Sequence, residues 1–202
     1  MASGLGRVVK GRSSVGFSRE NWLAPFVVTT KEWITEIVRL ADVKENDVFY
    51  DVGCGEGHVV SYVAKNTNAK KIVGIEHNVD LANTAKDQLN TIDSKRIEIR
   101  HQDAFTADMS DCTVAYLYLT IEGMKKFEKK LCKMLESGIR VVSMWPRYCD
   151  EKAREICTET ISHYNPSSKS FSYQQSHTYA LKIYLWTPRL QNVENNGGQK
   201  PT

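Results

Sequence analysis

The segment Val48-Phe49-Tyr50-Asp51-Val52-Gly53-Cys54-Gly55-Glu56-Gly57-His58 constrains this chain more than any other. Its first half is an apolar and aromatic run broken by one acid, which reads as a buried strand. The glycines that follow let the backbone turn tightly and approach a ligand closer than a Cβ would permit. A helix from about His58 to Asn66 comes next. Strand, glycine turn and helix in succession form the opening unit of an α/β fold, whose ligand face lies at the strand carboxyl ends.

The rest of the chain repeats that rhythm. Thr30 is a natural N-cap for a helix from Lys31 to about Ala41, where Trp33, Ile34, Ile37, Val38 and Ala41 recur at helical spacing. Strands are expected at Lys71–Glu76, Arg96–Arg100, Thr113–Leu119 and Arg140–Met144. Helices are expected at Asp80–Leu89, at Lys125–Leu135 with Phe127, Leu131, Met134 and Leu135 inward, and at Asp150–Ser162. Alternating strands and helices imply parallel pairing with right-handed crossovers. Phe171–Gln175 and Thr178–Thr187 then read as strands with no helix between them, so that pair should be antiparallel. The fold class is therefore α/β, a Rossmann-like three-layer α/β/α sandwich whose mostly parallel seven-stranded sheet closes on an antiparallel C-terminal hairpin. One domain is expected over residues 21–189, between a basic tail at 1–20 and a disordered tail at 190–202.

Composition narrows the setting. No run reaches the eighteen or so apolar residues of a membrane span. A net charge of +3 is too mild to argue for nucleic acid. Five cysteines without a C-x-x-C pair suit free thiols in a reducing compartment, and no metal is expected. Residues 1–19 carry Arg7, Lys10, Arg12 and Arg19, several serines and no acid. That is the composition of a mitochondrial transit peptide, or of a plain basic tail on a cytoplasmic protein. Lys125, Lys126, Lys129 and Lys130 read as the solvated face of a helix.

The spacing of the glycines carries chemical information. A dinucleotide site needs G-x-G-x-x-G, which would place its third glycine at position 58, occupied here by His58. The third glycine is instead Gly57, and Asp51 precedes Gly53 by two. Glu76 closes the second strand, where a carboxylate can accept from both hydroxyls of a ribose. Asp103 follows the third strand, where it can accept from an adenine amino group beside Ala104 and Phe105. Taken singly these are a ligand-free turn, a solvated strand end and a helix cap. Together they occupy three successive strand ends on one rim.

These motifs resemble the class I S-adenosylmethionine methyltransferases over residues 22–186, and more narrowly the small seven-β-strand protein-lysine methyltransferases. That group includes broad-specificity archaeal enzymes and mitochondrial ones acting on the ATP synthase c subunit or the adenine nucleotide translocase. The narrower resemblance rests on Pro25-Phe26-Val27-Val28-Thr29-Thr30, Asp51–Val60, Asp111–Leu119 and Gly138–Ser143. Val28 stands for a second proline, and Glu56 and His58 for the more usual Asp and Arg. The nucleosomal histone enzymes carry paired asparagines where this chain has Tyr118-Leu119, a departure that argues against histone activity.

The resemblance implies S-adenosyl-L-methionine as cofactor, held by Asp51, Gly53, Cys54, Gly55, Gly57, Glu76, His77, Asp103, Ala104 and Tyr118, with Thr29 or Thr30 over the methionine end. It implies a protein substrate, a lysine side chain, with nucleic acid disfavoured and a monomer expected. A lysine must lose its proton before it can attack, which a desolvated channel favours. Tyr118 and Thr120 lie where that nucleophile enters; the alternative is that Tyr116 and Tyr118 are packing residues of a strand. Trp145-Pro146 is a candidate substrate loop. A small-molecule or RNA methyltransferase, and a non-catalytic cofactor-binding module, remain alternatives on this fold. No Asn/Asp-Pro-Pro-Tyr run, the common signature of base-amine methylation, is present.

Overall fold

The structure, a computed structural model, describes residues 27–92, 95–144, 157–164 and 181–188. Helix α1 (Lys31–Ala41) leads into strand β1 (Val48–Val52), followed by α2 (His58–Asn66), β2 (Lys71–Glu76), α3 (Val79–Leu89) and β3 (Ile97–His101). Strand β4 (Val114–Leu117), helix α4 (Ile121–Glu136) and β5 (Arg140–Ser143) continue the series, and β6 (Cys157–Tyr164) and β7 (Leu181–Pro188) end it. Among the described residues the strands form one sheet in the order β3-β2-β1-β4-β5-β7-β6. Neighbours from β3 to β5 pair in parallel, whereas β7 runs antiparallel to both β5 and β6. The sheet is Rossmann-like and reverses strand order on either side of β1 and β4, the place where open α/β sheets hold ligands.

Every residue of β1 and β4 is buried, as parallel strands covered on both faces must be. The period-two alternation divides them between two cores. Val48, Tyr50, Val52, Ala115 and Leu117 face α4 through Met124, Phe127, Leu131 and Leu135. Phe49, Val114 and Tyr116 face the opposite layer, where Ile34 and Ile37 of α1, Val60 and Val63 of α2, and Ala85 and Leu89 of α3 pack.

Several sequence expectations shift. Helix α4 starts at Ile121 rather than Lys125, because the Thr120 side chain accepts from the Gly123 N–H and begins the helix a turn earlier. Thr30 holds the N-cap position of α1, yet its side chain makes no capping hydrogen bond. Lys130 is not on the solvated face: its ammonium donates to the carbonyls of Ala104 and Ala107, each at 2.6 Å. Residues 157–162, expected as the end of a helix, belong to β6. There Thr158, Thr160 and Ile161 favour extended backbone, and eight-residue pairing with β7 overrides helical periodicity. The partner of β7 is therefore Cys157–Tyr164, while the strand expected at Phe171–Gln175 lies outside the described residues, as do Trp145-Pro146 and both tails. Among the described residues no helix is long and apolar enough to cross a membrane.

Candidate functional site

The glycine turn is held by its own hydrogen bonds. The N–H groups of Gly53 and Cys54 both donate to the Ile75 carbonyl, at 2.8 and 3.0 Å, folding the turn onto β2. Gly57 N–H donates to the Cys54 carbonyl at 2.9 Å, and Gly55 N–H donates to the Glu76 carboxylate at 2.8 Å. With these donors engaged internally, the turn is not a nest of N–H groups awaiting a phosphate. Gly53, Gly55 and Gly57 all have positive φ, at 85°, 55° and 81°, where other residues are strained.

The glycines serve different ends. A Cβ on Gly53 would meet nothing within 4 Å, so that backbone borders open space. A Cβ on Gly57 would press on Ala85 and Leu89 at 3.2 and 3.1 Å, so Gly57 lets α3 pack close. Gly74, within β2, belongs to no motif of the sequence. A Cβ there would lie 2.7 Å from Cys54 Sγ, so this glycine makes room for the Cys54 side chain to turn into the core. Cys54 thus faces the site with its main chain. Burial, with the charges of Asp51 and Glu76, pushes its thiol well above the usual range.

Glu76 is buried at the end of β2 and accepts on both oxygens, from Gly55 N–H and from Asn78 N–H at 2.7 Å. Each oxygen keeps a further lone pair for an outside donor. Asn78 caps α3 by accepting from Asp80 and Leu81 N–H, which sets the angle at which the chain leaves Glu76 and His77. The His77 carbonyl lies 3.1 Å from a ring nitrogen of His101. Asp103 accepts from Phe105 N–H at 2.8 Å, and Lys130 ties down the carbonyls on either side of Phe105, so the Ala104 segment is braced from α4.

Asp51 is unlike the other acids. It is 3% exposed, and its Oδ2 has no hydrogen-bond partner. Burial, then the charge of Glu76, pushes its carboxyl up to about 8. Tyr116, its register partner on β4, is the second such case: its hydroxyl is buried without a partner. Thr29 is near enough to favour the ionised form of Tyr116, yet no hydrogen bond of ordinary geometry joins the two. Among the described residues these are the buried side-chain polar atoms left unsatisfied. Such atoms cost free energy unless something from outside pairs with them.

Of the candidates, Asp51, Cys54, Glu76 and Thr29 cluster around Tyr116 and the glycine turn, and Asp103 and Ala104 follow β3 on the same rim. Tyr118 is half-buried and packs against the core on the Tyr116 face, and Thr120 caps α4. Thr30 heads α1. Tyr116 was legible only as a packing residue, although its place two before Tyr118 put both on one face. These acceptors fit a ligand with an ammonium for Asp51, a diol for Glu76 and a base beside Asp103. Those are the parts of S-adenosylmethionine.

Known proteins point the same way. A family model described as the ANTKMT methyltransferase domain matches residues 51–145. A protein-lysine N-methyltransferase of Saccharolobus islandicus (strain REY15A) is 34% identical over 124 residues, 59% of this chain and 74% of that protein. An rRNA adenine N-6-methyltransferase of Escherichia coli is 29% identical over 76 residues, 38% of this chain and 29% of that protein. Among solved structures, an RNA methyltransferase from Salinibacter ruber in complex with S-adenosyl-L-homocysteine superposes with a TM-score of 0.58 at 27% identity. The match covers 84% of this chain and 98% of that one.

Proposed function

This chain belongs to the class I S-adenosylmethionine-dependent methyltransferases, and from that premise we propose that its methyl acceptor is the ε-amine of a protein lysine. The observation that carries this reading is the similarity to the archaeal protein-lysine enzyme, which spans three quarters of that protein. The cofactor supplies an electrophilic methyl on a sulfonium. The chain's own residues supply position and desolvation. Asp51 takes the ammonium of the methionine end, Glu76 the ribose hydroxyls, and Asp103 with Ala104 the adenine edge.

Tyr118 and Thr120, in the segment between β4 and α4, border the place where an acceptor amine meets the methyl. Burial pushes the Tyr118 phenol up, so it stays neutral and can accept from or donate to an incoming amine. Thr120 contributes by starting α4 where it does. A neutral, partly apolar wall favours the uncharged amine that attack requires. Similarity to RNA methyltransferases supports a second reading, an RNA base as acceptor.

One experiment separates them. The purified chain is incubated with radiolabelled S-adenosylmethionine and a cell extract, beside an Asp51→Ala control. A labelled protein band lost in the control, with methyl groups located on lysine by mass spectrometry, is the expected result. Label confined to RNA would overturn the lysine reading. Mitochondrial delivery is a separate proposal resting on the acid-free composition of residues 1–19. Fusion of residues 1–20 to a fluorescent protein tests it, and diffuse cytoplasmic fluorescence would reject it.

A further inference from the structure

We infer that Tyr116, through its phenolic hydroxyl, is a cofactor-binding residue that recognises the amino-acid end of S-adenosylmethionine, acting with Asp51 and Thr29. Three independent observations meet at this point. First, the hydroxyl is fully enclosed and has no partner, although the ring around it is packed in the core. A buried hydroxyl that bonds to nothing costs more than the phenylalanine that could replace it. Second, the unpartnered oxygen of Asp51 lies on the adjacent strand at the paired register position, yet the two groups do not bond to each other. A phenol and a carboxylate without partners inside a core each keep a hydrogen-bonding site for a group from outside. Third, Gly53, two residues after Asp51, borders open space where a Cβ would point.

The chemistry fits a zwitterion. The Asp51 carboxylate can only accept, so it takes the ammonium. A tyrosine hydroxyl both donates and accepts, so it can serve the carboxylate or the ammonium of the same amino-acid end. Burial, ahead of the Asp51 charge, raises Tyr116 well above the usual tyrosine range, so it keeps the proton it would donate. Thr29, buried on the segment before α1, adds a second hydroxyl and brings that segment over the same end. This role concerns the cofactor alone and holds whether the acceptor is a lysine or an RNA base.

The test compares two ligands in the full chain by calorimetry. S-adenosylhomocysteine has the amino-acid end, and 5′-methylthioadenosine lacks it. Tyr116→Phe keeps the ring and removes the hydroxyl. It is expected to weaken S-adenosylhomocysteine by roughly ten- to a hundredfold, as loss of a hydrogen bond to a charged group does, and to leave 5′-methylthioadenosine unchanged. Its melting temperature without ligand should equal or exceed that of the wild type. Thr29→Val, outside the sheet, should show the same selectivity with a smaller loss. Equal weakening of both ligands, weakening of neither, or a Tyr116→Phe chain that fails to fold would each overturn the assignment.

Discussion

Asp47 and Asp51 lie four residues apart, one just before β1 and one within it, and both are less than a tenth exposed. At the amino end of the strand, Asp47 accepts from Lys44 N–H at 2.6 Å, from the Thr113 hydroxyl at 2.7 Å and from the Arg140 guanidinium at 2.5 Å. Burial alone would raise its carboxyl. The Lys44 and Thr113 hydrogen bonds and the Arg140 charge outweigh that and hold it below the usual range. Near the carboxyl end, Asp51 has an oxygen with no partner, and its carboxyl is raised. One acid is saturated by the fold and ties three segments together. The other is left with an unpartnered oxygen and holds its proton, and in the proposed cofactor complex an ammonium would stabilise its ionised form instead.

The sharpest test of this contrast is Asp51→Asn. Removing one partner of a buried ion pair should weaken S-adenosylhomocysteine by roughly 3 kcal/mol or more, over a hundredfold, with little change for 5′-methylthioadenosine. The same acid predicts opposite pH slopes. The folded chain holds a proton on Asp51 up to about 8, whereas the unfolded chain releases it near 3.8. Between those values the folded state binds more protons, so stability without ligand falls as pH rises. Affinity for S-adenosylhomocysteine rises over that window, because the ammonium needs the ionised carboxylate, and binding releases a proton. Thermal melts and calorimetry in buffers of different ionisation enthalpy check both slopes. Slopes unchanged in Asp51→Asn would place the titration on another group.

Glu76→Gln should come next in size. It loosens the Gly55 turn and the ribose contact together, so both ligands should weaken by roughly tenfold or more, where Asp51→Asn spares the truncated one. A loss restricted to S-adenosylhomocysteine would mean that Glu76 serves the amino-acid end instead. Asp47→Ala should cost about 2 kcal/mol of stability in a denaturant titration and leave cofactor affinity unchanged. Because the folded value of Asp47 is depressed, its contribution is present above the unfolded value and lost as pH falls through the folded one. The variant should therefore lack part of the wild-type acid transition. A change in cofactor affinity would break the division between the two ends of the strand. Smallest, Thr120→Ala should cost about 1 kcal/mol through the lost cap, which Thr120→Ser restores. If Thr120→Ser regains stability but not turnover, the threonine methyl shapes the acceptor channel as well.

The carboxyl rim was largely readable in advance because its signals are local. Asp51, Glu76 and Asp103 each stand at a fixed offset from a strand end, and the glycine spacing separates this turn from a pyrophosphate-binding one. Lys130 and the 157–162 stretch were misread for the opposite reason. Nothing near Lys130 in the chain announces that residues 104–107 fold beneath it, and nothing near Cys157 announces eight residues of pairing with β7. Tyr116 is an intermediate case. Its face followed from alternation, but an unpartnered hydroxyl is a property of all its surroundings and of no sequence window.

The sequence by itself determined the order of strands and helices from α1 to β5 and the chemical type of ligand, because those depend on periodicity, turn chemistry and residue spacing along one chain. Only the tertiary structure decided which polar groups are satisfied. Hydrogen bonds to Asp47 arrive from residues up to 93 positions away, and Asp51 and Tyr116, 65 positions apart, are left open by the same packing. Satisfaction of a buried polar atom depends on every atom around it, and those atoms are brought together only when the chain has folded.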